Sequence, residues 1–304
     1  MVIVMPSIVS LDLLGHSSFE LELVSTSDGH FVRKSAKGDT GSRLKLQKRK
    51  QEKFYEELNK NDLLNNIFKV PRIITEKNKA KDDEYSFLME YIGGQNLLEI
   101  IRTKDPSWLK SLLDRIIIFL DWELSQCETK TLDIQILLDK VDSTYNKTKE
   151  NDLEGKFSKQ TDIVFNLFKK KVSKIEKEPV PVGFCHGDLT FSNIIISDYS
   201  IVLIDFLDSY VETPLQDIAK MSQELSLAWS LLMAPEVRDR VKVNIAYDFM
   251  RGYWNSILEE FLEKQSFSKD LTELFYLLTL LRILPYTKRS QIYEKILTEI
   301  HRKL

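Results

Sequence analysis

The sequence is poor in the residues that staple, break or bend a chain. Its 304 residues hold two cysteines, four histidines, eight prolines and ten glycines. Cys127 and Cys185 supply neither a disulfide framework nor a zinc spacing, so reduced intracellular thiols are expected. Cys185 reads as a small buried hydrophobe. The histidines are scattered and give no metal-binding pattern. An excess of one charge is also lacking. The 43 basic and 46 acidic residues are interspersed and leave a net charge of −3, which argues against a basic face for nucleic acid or membrane. No run approaches the roughly 18 uncharged apolar residues of a membrane helix. The longest, at 112–122, is interrupted by Asp114, Arg115 and Asp121. The opening Met1-Val-Ile-Val-Met-Pro6 has no basic segment or cleavage site of a secretory leader. A soluble cytoplasmic protein is expected, with no nucleic-acid and no membrane partner.

What is present is ample core material, 43% hydrophobic residues against 29% charged, in a length that suits one large domain or two lobes. The first part alternates with period two. Residues 8–14 and 19–25 read as strands around Gly15, and 30–36 as a third after the Ser27-Asp-Gly29 turn. A charged helix is expected at 42–60 with a Leu44, Tyr55, Leu58 stripe, then strands at 70–75 and 85–91. After Gly93-Gly94, a candidate hinge, the pattern turns helical. Helices are expected at 95–103, 107–127, 131–150, 158–176, 215–232, 236–263, 269–284 and 290–302. Trp229, Tyr247 and Trp254, with Arg251, recur at helical spacing and read as core rather than as a sugar platform. The fold class is α+β, with a β-rich part at 1–92 and a mainly helical part at 93–304.

The stretch from Phe184 to Phe206, FCHGDLTFSNIIISDYSIVLIDF, carries the chemistry. Two β-branched runs, 193–196 and 201–204, flank Ser197-Asp-Tyr-Ser200 and read as a hairpin. Such a hairpin brings Asn193 and Asp205 side by side, with Asp188 on the entering loop. Three oxygen-bearing side chains then converge where a hard cation or a transferable proton compensates their charge. That is the layout of phosphoryl transfer: a base for an acceptor hydroxyl, followed by two magnesium ligands.

His186-Gly-Asp188-Leu-x-x-x-Asn193 followed by Ile204-Asp205-Phe206 resembles the signature of the aminoglycoside phosphotransferase and choline kinase family of small-molecule kinases. The resemblance implies a bilobal protein-kinase-like fold, with a small β-rich N-lobe and a helical C-lobe. It makes Asp188 the catalytic base and Asn193 and Asp205 the ligands of Mg2+, with ATP or GTP as phosphoryl donor. In Phe31-Val-Arg-Lys34, Val32 would face adenine and Lys34 the α- and β-phosphates, while Arg33 departs from the usual apolar slot. Glu52 is preferred over Glu56 as the acid that pins Lys34. Gly15-His-Ser-Ser-Phe-Glu20 stands where a phosphate-covering loop belongs, with Ser17 and Ser18 as donors; a plain hairpin turn fits those residues equally well. Phe87-Leu-Met-Glu-Tyr-Ile-Gly-Gly94 resembles the kinase hinge, with backbone groups near Glu90 and Ile92 on the adenine edge and Met89 behind it. His186 is expected to order the loop, and Asp217, near a helix start, to tie that loop in place. The family often has an acid two residues after the magnesium aspartate; here that position is Leu207, and Asp208 and Tyr210 are left as candidate acceptor contacts.

The expected activity is transfer of a nucleotide γ-phosphate to a hydroxyl of a small molecule. A sugar leads, and a choline- or ethanolamine-type amino alcohol and an aminoglycoside are the alternatives. A protein kinase is a poorer fit, because the stretch between Asp205 and Asp217 leaves no room for an activation segment. A catalytically inactive nucleotide-binding pseudokinase is the other rival, set against the presence of every expected catalytic residue.

Overall fold

The computed structural model describes residues 19–27, 29–74, 84–151, 158–175, 178–234, 236–287 and 289–304. The strand expected at 8–14 lies outside them. The chain opens on β1 (Glu20–Thr26) and β2 (Gly29–Lys37), an antiparallel pair whose turn ends on Gly29 at φ 134°. Glu22 and Arg33 face each other across it and pair at 2.8 Å, which explains the charge in that slot: Arg33 belongs to the outer face. Next comes α1 (Asp39–Asn59), whose buried Leu44, Gln47, Gln51, Phe54 and Leu58 recur at three- and four-residue steps along one face. Asn61 caps α2 (Asp62–Ile67), accepting from the Leu64 N–H. Short strands β3 (Phe68–Lys69) and β4 (Ile73–Ile74), the longer β5 (Glu84–Glu90) and β6 (Gln95–Asn96) follow.

The helical region begins with α3 (Leu97–Ile100), then α4 (Pro106–Ser125), which starts on an Asp105 cap with proline in its first turn. β7 (Glu128–Thr131) precedes α5 (Ile134–Glu150) and α6 (Ser158–Val172), and β8 (Pro179–Val182) returns to pair with β7. The stretch expected as a hairpin forms β9 (Ile194–Ser197) and β10 (Ser200–Leu203), with Asp198 at φ 51° in its turn. Five helices complete the chain: α7 (Leu215–Leu227), α8 (Trp229–Met233), α9 (Arg240–Glu263), α10 (Lys269–Ile283) and α11 (Ser290–Lys303). The single helix expected at 215–232 is two, because Ala228 at φ 53° breaks it.

Two compact units result. One combines Met1–Leu97 with Asn193–Asp208; the other combines Leu98–Ser192 with Ser209–Leu304. In the first, one sheet has the order β1-β2-β5-β4 and a second the order β3-β10-β9-β6, with β3 parallel to β10. Val32, Ala36, Leu44, Phe87 and Met89 form its core between the first sheet and α1. Gly94 enters β6 so close to β9 that a Cβ there would stand 2.6 Å from Ile195 Cγ2 and Ile196 O. The glycine at that position serves close approach of two strands.

In the second unit, α7 is buried on nearly every side and packs against α10. Tyr247 and Trp254, seven residues apart on α9, are among the largest fully buried side chains and are core, whereas Trp229 opens α8 and is partly exposed. Among the described residues no helix is long and apolar enough to cross a membrane.

Candidate active site

In the first unit the hairpin ends define a polar corner. The ladder of β9 and β10 stops at Ile194 opposite Leu203, and the Ile204 N–H then donates to the Asn193 carbonyl at 3.1 Å. Asn193 and Asp205 thus flank the open end of one hairpin. Asp205 takes the left-handed region at φ 60°, a strained conformation for a non-glycine residue. The side chain it presents there meets Lys34 Nζ at 2.8 Å through Oδ1.

Lys34 shares a face of β2 with Val32 and Ala36, as period two requires, and its side chain is only 4% exposed. Besides Asp205, its ammonium donates to Gln47 Oε1 at 3.0 Å and lies 4.8 Å from the Phe19 ring centroid. The expected Glu52 partner is corrected by this geometry. Glu52 lies off the Leu44–Gln47–Gln51–Phe54–Leu58 face and pairs instead with Lys48 at 3.4 Å. Glu56 is exposed on the same outer side. An amide, Gln47, occupies the inward position, so Asp205 alone neutralises Lys34 among these contacts. Gln51, next on that face, donates to the Pro71 carbonyl at 2.8 Å and braces Met89 through its sulfur.

Val32 and Met89 are buried and lie directly opposite each other across β2 and β5. In the connection that follows, the Glu90 N–H donates to Arg72 O at 2.9 Å and the Tyr91 N–H to His30 O at 3.2 Å. The Ile92 backbone makes no hydrogen bond among the described residues, which leaves its polar groups available. A cavity of about 290 Å³ on the α1 side of that connection is lined by Tyr55, Leu58, Val70, Glu90 and Ile92, and includes neither Val32 nor Met89. Ser17 and Ser18 lie outside the described residues.

The second unit holds the loop that carries Asp188. His186 is fully buried, and its N–H is shared by the carboxylates of Glu123, at 3.1 Å, and Asp217. Asp217 also accepts from the Gly187 N–H at 2.8 Å, where Gly187 adopts φ 87°. The ring of His186 turns back, and its Nδ1 accepts the Asp188 N–H at 3.2 Å. That bond places the ring proton on Nε2. The backbone N–H groups of His186, Gly187 and Asp188 are therefore all held by buried side chains.

Sequence reasoning missed what faces the Asp188 carboxylate. Lys220, three residues after Asp217 on α7, places its Nζ 3.0 Å from Asp188 Oδ1. Its side chain is 11% exposed and that of Asp188 31%, so a nearly buried ammonium stands beside a half-open carboxylate. The available signal was the helical spacing from Asp217.

Asp208 is exposed. Tyr210 is packed, its ring stacked on Phe275 with centroids 6.4 Å apart and overlain by Arg282 at 4.9 Å. Burial pushes its phenol well above the ordinary range, against the pull of the Arg282 charge. The hydroxyl is enclosed, with no hydrogen-bond partner among the described residues, so the expected acceptor contact is not offered by that group.

No group of three or more His, Cys, Asp or Glu side chains among the described residues is arranged to hold a metal. The Asn193 amide and Asp205 carboxylate are nevertheless a hard-oxygen pair of the kind Mg2+ accepts. That ion favours one or two protein ligands completed by waters and phosphate oxygens over an all-protein cage.

Comparisons with known proteins show the family and the fold. Residues 15–253 match the phosphotransferase enzyme family, APH. Among solved structures, a thermostable mutant of aminoglycoside phosphotransferase APH(4)-Ia in its apo form is similar at TM-score 0.63 and 10% identity, over 98% of this chain and 94% of that one. A glucosamine kinase in complex with glucosamine, ADP and inorganic phosphate gives 0.56 at 11% identity, over 94% and 80%. A Thermobifida fusca YX-ER1 protein assigned as a fructosamine-3-kinase gives 0.54 at 15% identity, over 98% and 94%. At such identities the likeness shows a shared α+β, protein-kinase-like fold. No curated protein sequence matches the chain.

Proposed function

Because this chain belongs to the phosphotransferase enzyme family, we propose that it moves the γ-phosphate of ATP or GTP to a hydroxyl of a small, sugar-like molecule. The observation that carries the reading is the buried Lys34 ammonium held on Asp205, at the end of the hairpin that also bears Asn193. A buried cation is costly unless it has a task and a partner. Here the partner is itself a residue suited to a metal–phosphate complex.

In this reading 1–92 serves the nucleotide, with Val32, Met89 and the backbone near Glu90 and Ile92 around the base. The 93–304 part supplies the catalytic loop and the acceptor site. Lys34 binds the α- and β-phosphates, and Gln47 holds its ammonium in place without competing for its charge. Asn193 and Asp205 would hold Mg2+, whose chemistry when bound is to offset the negative charge of the phosphates. Asp188 accepts the proton of the acceptor hydroxyl, and His186 and Asp217 hold the Asp188 backbone in position.

Lys220 bears on the acceptor. The charge of Asp188 is already balanced by an ammonium at 3.0 Å, so that carboxylate offers a polycation no net attraction. This favours a monosaccharide hydroxyl over the polycation of an aminoglycoside. The cytoplasm, where nucleotide is plentiful and both thiols stay reduced, is the matching compartment.

The test is magnesium-dependent ADP release measured with glucose, glucosamine, choline and kanamycin as acceptors. The sugars are expected to stimulate release above choline and kanamycin. No magnesium-dependent release with any of the four would refute the reading.

A further inference from the structure

The helix that holds Asp217 and Lys220 carries a third buried ionisable group one turn beyond them, Glu224, which is fully buried. Each of its oxygens has two donors. Oε1 accepts from the Ser230 N–H at 3.0 Å and the Tyr247 hydroxyl at 2.6 Å. Oε2 accepts from the Ser230 hydroxyl at 2.6 Å and the Phe191 N–H at 3.3 Å. Two of these four groups, the Phe191 and Ser230 N–H groups, can only donate, so the carboxyl accepts from both whatever its charge. Burial pushes its pKa up, and the bonds from Ser230, Tyr247 and Phe191 oppose that push. No Lys, Arg or His side chain bonds it among the described residues.

Two of those contacts end on the catalytic loop. The Phe191 N–H bonds Glu224 directly, and the Ser192 N–H bonds Ser230 Oγ at 3.1 Å, whose own proton goes to Glu224. The left-handed break at Ala228 makes this possible, because it turns the first residues of α8 back so that Ser230 presents both N–H and hydroxyl to Glu224. Along α7, then, Asp217 holds the peptides before Asp188, Lys220 meets its side chain, and Glu224 holds the peptides after it. Positions 217, 220 and 224 lie at three- and four-residue steps and share one helix face.

We propose that Glu224, with Ser230, is a positioning residue for phosphoryl transfer: it anchors the Phe191–Ser192 peptides and so fixes the loop between Asp188 and Asn193. Its effect on turnover rests on the phosphotransferase reading; its effect on the loop does not. Tyr247 belongs to the same network: its hydroxyl bonds Glu224 and its ring packs on Phe191 at 5.5 Å between centroids. Tyr247→Phe keeps that ring contact and removes only the bond to Glu224, so it separates stability of the network from anchoring of the loop.

The experiment is amide hydrogen exchange over residues 189–193, measured on the full chain with ADP release from Mg·ATP and glucosamine. Glu224→Gln is expected to speed exchange there about tenfold, since a fixed opening becomes easier when its anchor is removed. It should lower kcat by about a hundredfold while KM for Mg·ATP moves by less than about twofold. Ser230→Ala, a milder change that frees only Ser192, is expected to act in the same direction and decides the matter if Glu224→Gln does not fold. Tyr247→Phe should lower thermal stability yet leave exchange at 189–193 as in wild type. Unchanged exchange at 189–193 in both loop variants, or equal acceleration along the whole chain, would overturn the proposal; so would a Tyr247→Phe variant with the same kcat loss. If the wild type releases no ADP, the kinase reading fails, and the exchange result still decides the anchoring.

Discussion

Replacing Lys34 by Met removes one charge from a place where the chain has arranged three groups around it. The methylene stem keeps its packing, so the change isolates the ammonium. Losing one member of a fully buried ion pair costs roughly 3–5 kcal/mol. Asp205 is 29% exposed, so water recovers part of that, and a loss of about 2 kcal/mol is the better expectation. The Gln47 oxygen, buried and deprived of its donor, adds about 1 kcal/mol. Urea denaturation should therefore show Lys34→Met less stable by about 3 kcal/mol. Calorimetry should show weaker Mg·ATP binding by about ten- to a hundredfold, the worth of one charge-assisted bond to phosphate. Asp205→Asn in the same background should add little, because the two side chains act as a pair. A loss below about 0.5 kcal/mol would mean the ion pair contributes nothing, as exposed pairs often do. Unchanged nucleotide affinity would remove Lys34 from the phosphates.

Gly94→Ala forces a Cβ to within 2.6 Å of Ile195 Cγ2 and Ile196 O, so β6 must separate from β9. A loss of about 2 kcal/mol in denaturant is expected, and a change under about 0.5 kcal/mol would show that the strands yield freely. Burial raises the Cys127 thiol from 9.0 to about 11. The folded chain therefore holds that proton more tightly than the unfolded chain. Stability from this site is fully present below pH 9 and is lost as the pH climbs through about 11. With about a hundredfold fewer thiolates than a free thiol, Cys127 should resist iodoacetamide at pH 8 in the native protein and react on denaturation. Native alkylation at the rate of a free thiol would contradict the burial.

The β9–β10 hairpin was legible because β-branched runs around a polar turn allow few other conformations, and Asn193 and Asp205 occupy fixed places at its ends. Lys34 was legible from period two, but its partner was not. The expected stripe on α1 combined Leu44, Tyr55 and Leu58, whereas the buried phase runs through Gln47, Gln51 and Phe54. A shift of one residue is a rotation of about 100°, enough to carry Glu52 from the sheet side to solvent. The surplus of acids in that segment hid the error, and a buried glutamine carries no charge to draw attention to it.

A run of polar residues along a helix ordinarily marks its wet face. Gln216, Asp217, Lys220, Gln223 and Glu224 are all buried instead, because most of them face polar partners in the 186–191 loop and the neighbouring helices. The left-handed turn at Ala228 has no glycine to announce it. The β7–β8 ribbon was hidden by the alternating prolines of Pro179-Val-Pro-Val182, which suit an exposed edge and little else.

Asp188→Asn tests the central claim most directly, because it changes one atom of the residue assigned to take the acceptor proton. Calorimetry on the variant should find Mg·ATP bound about as tightly as by wild type, while ADP release with the best acceptor falls by about a hundredfold or more. Turnover of the Asp188→Asn variant at the wild-type rate would contradict the account.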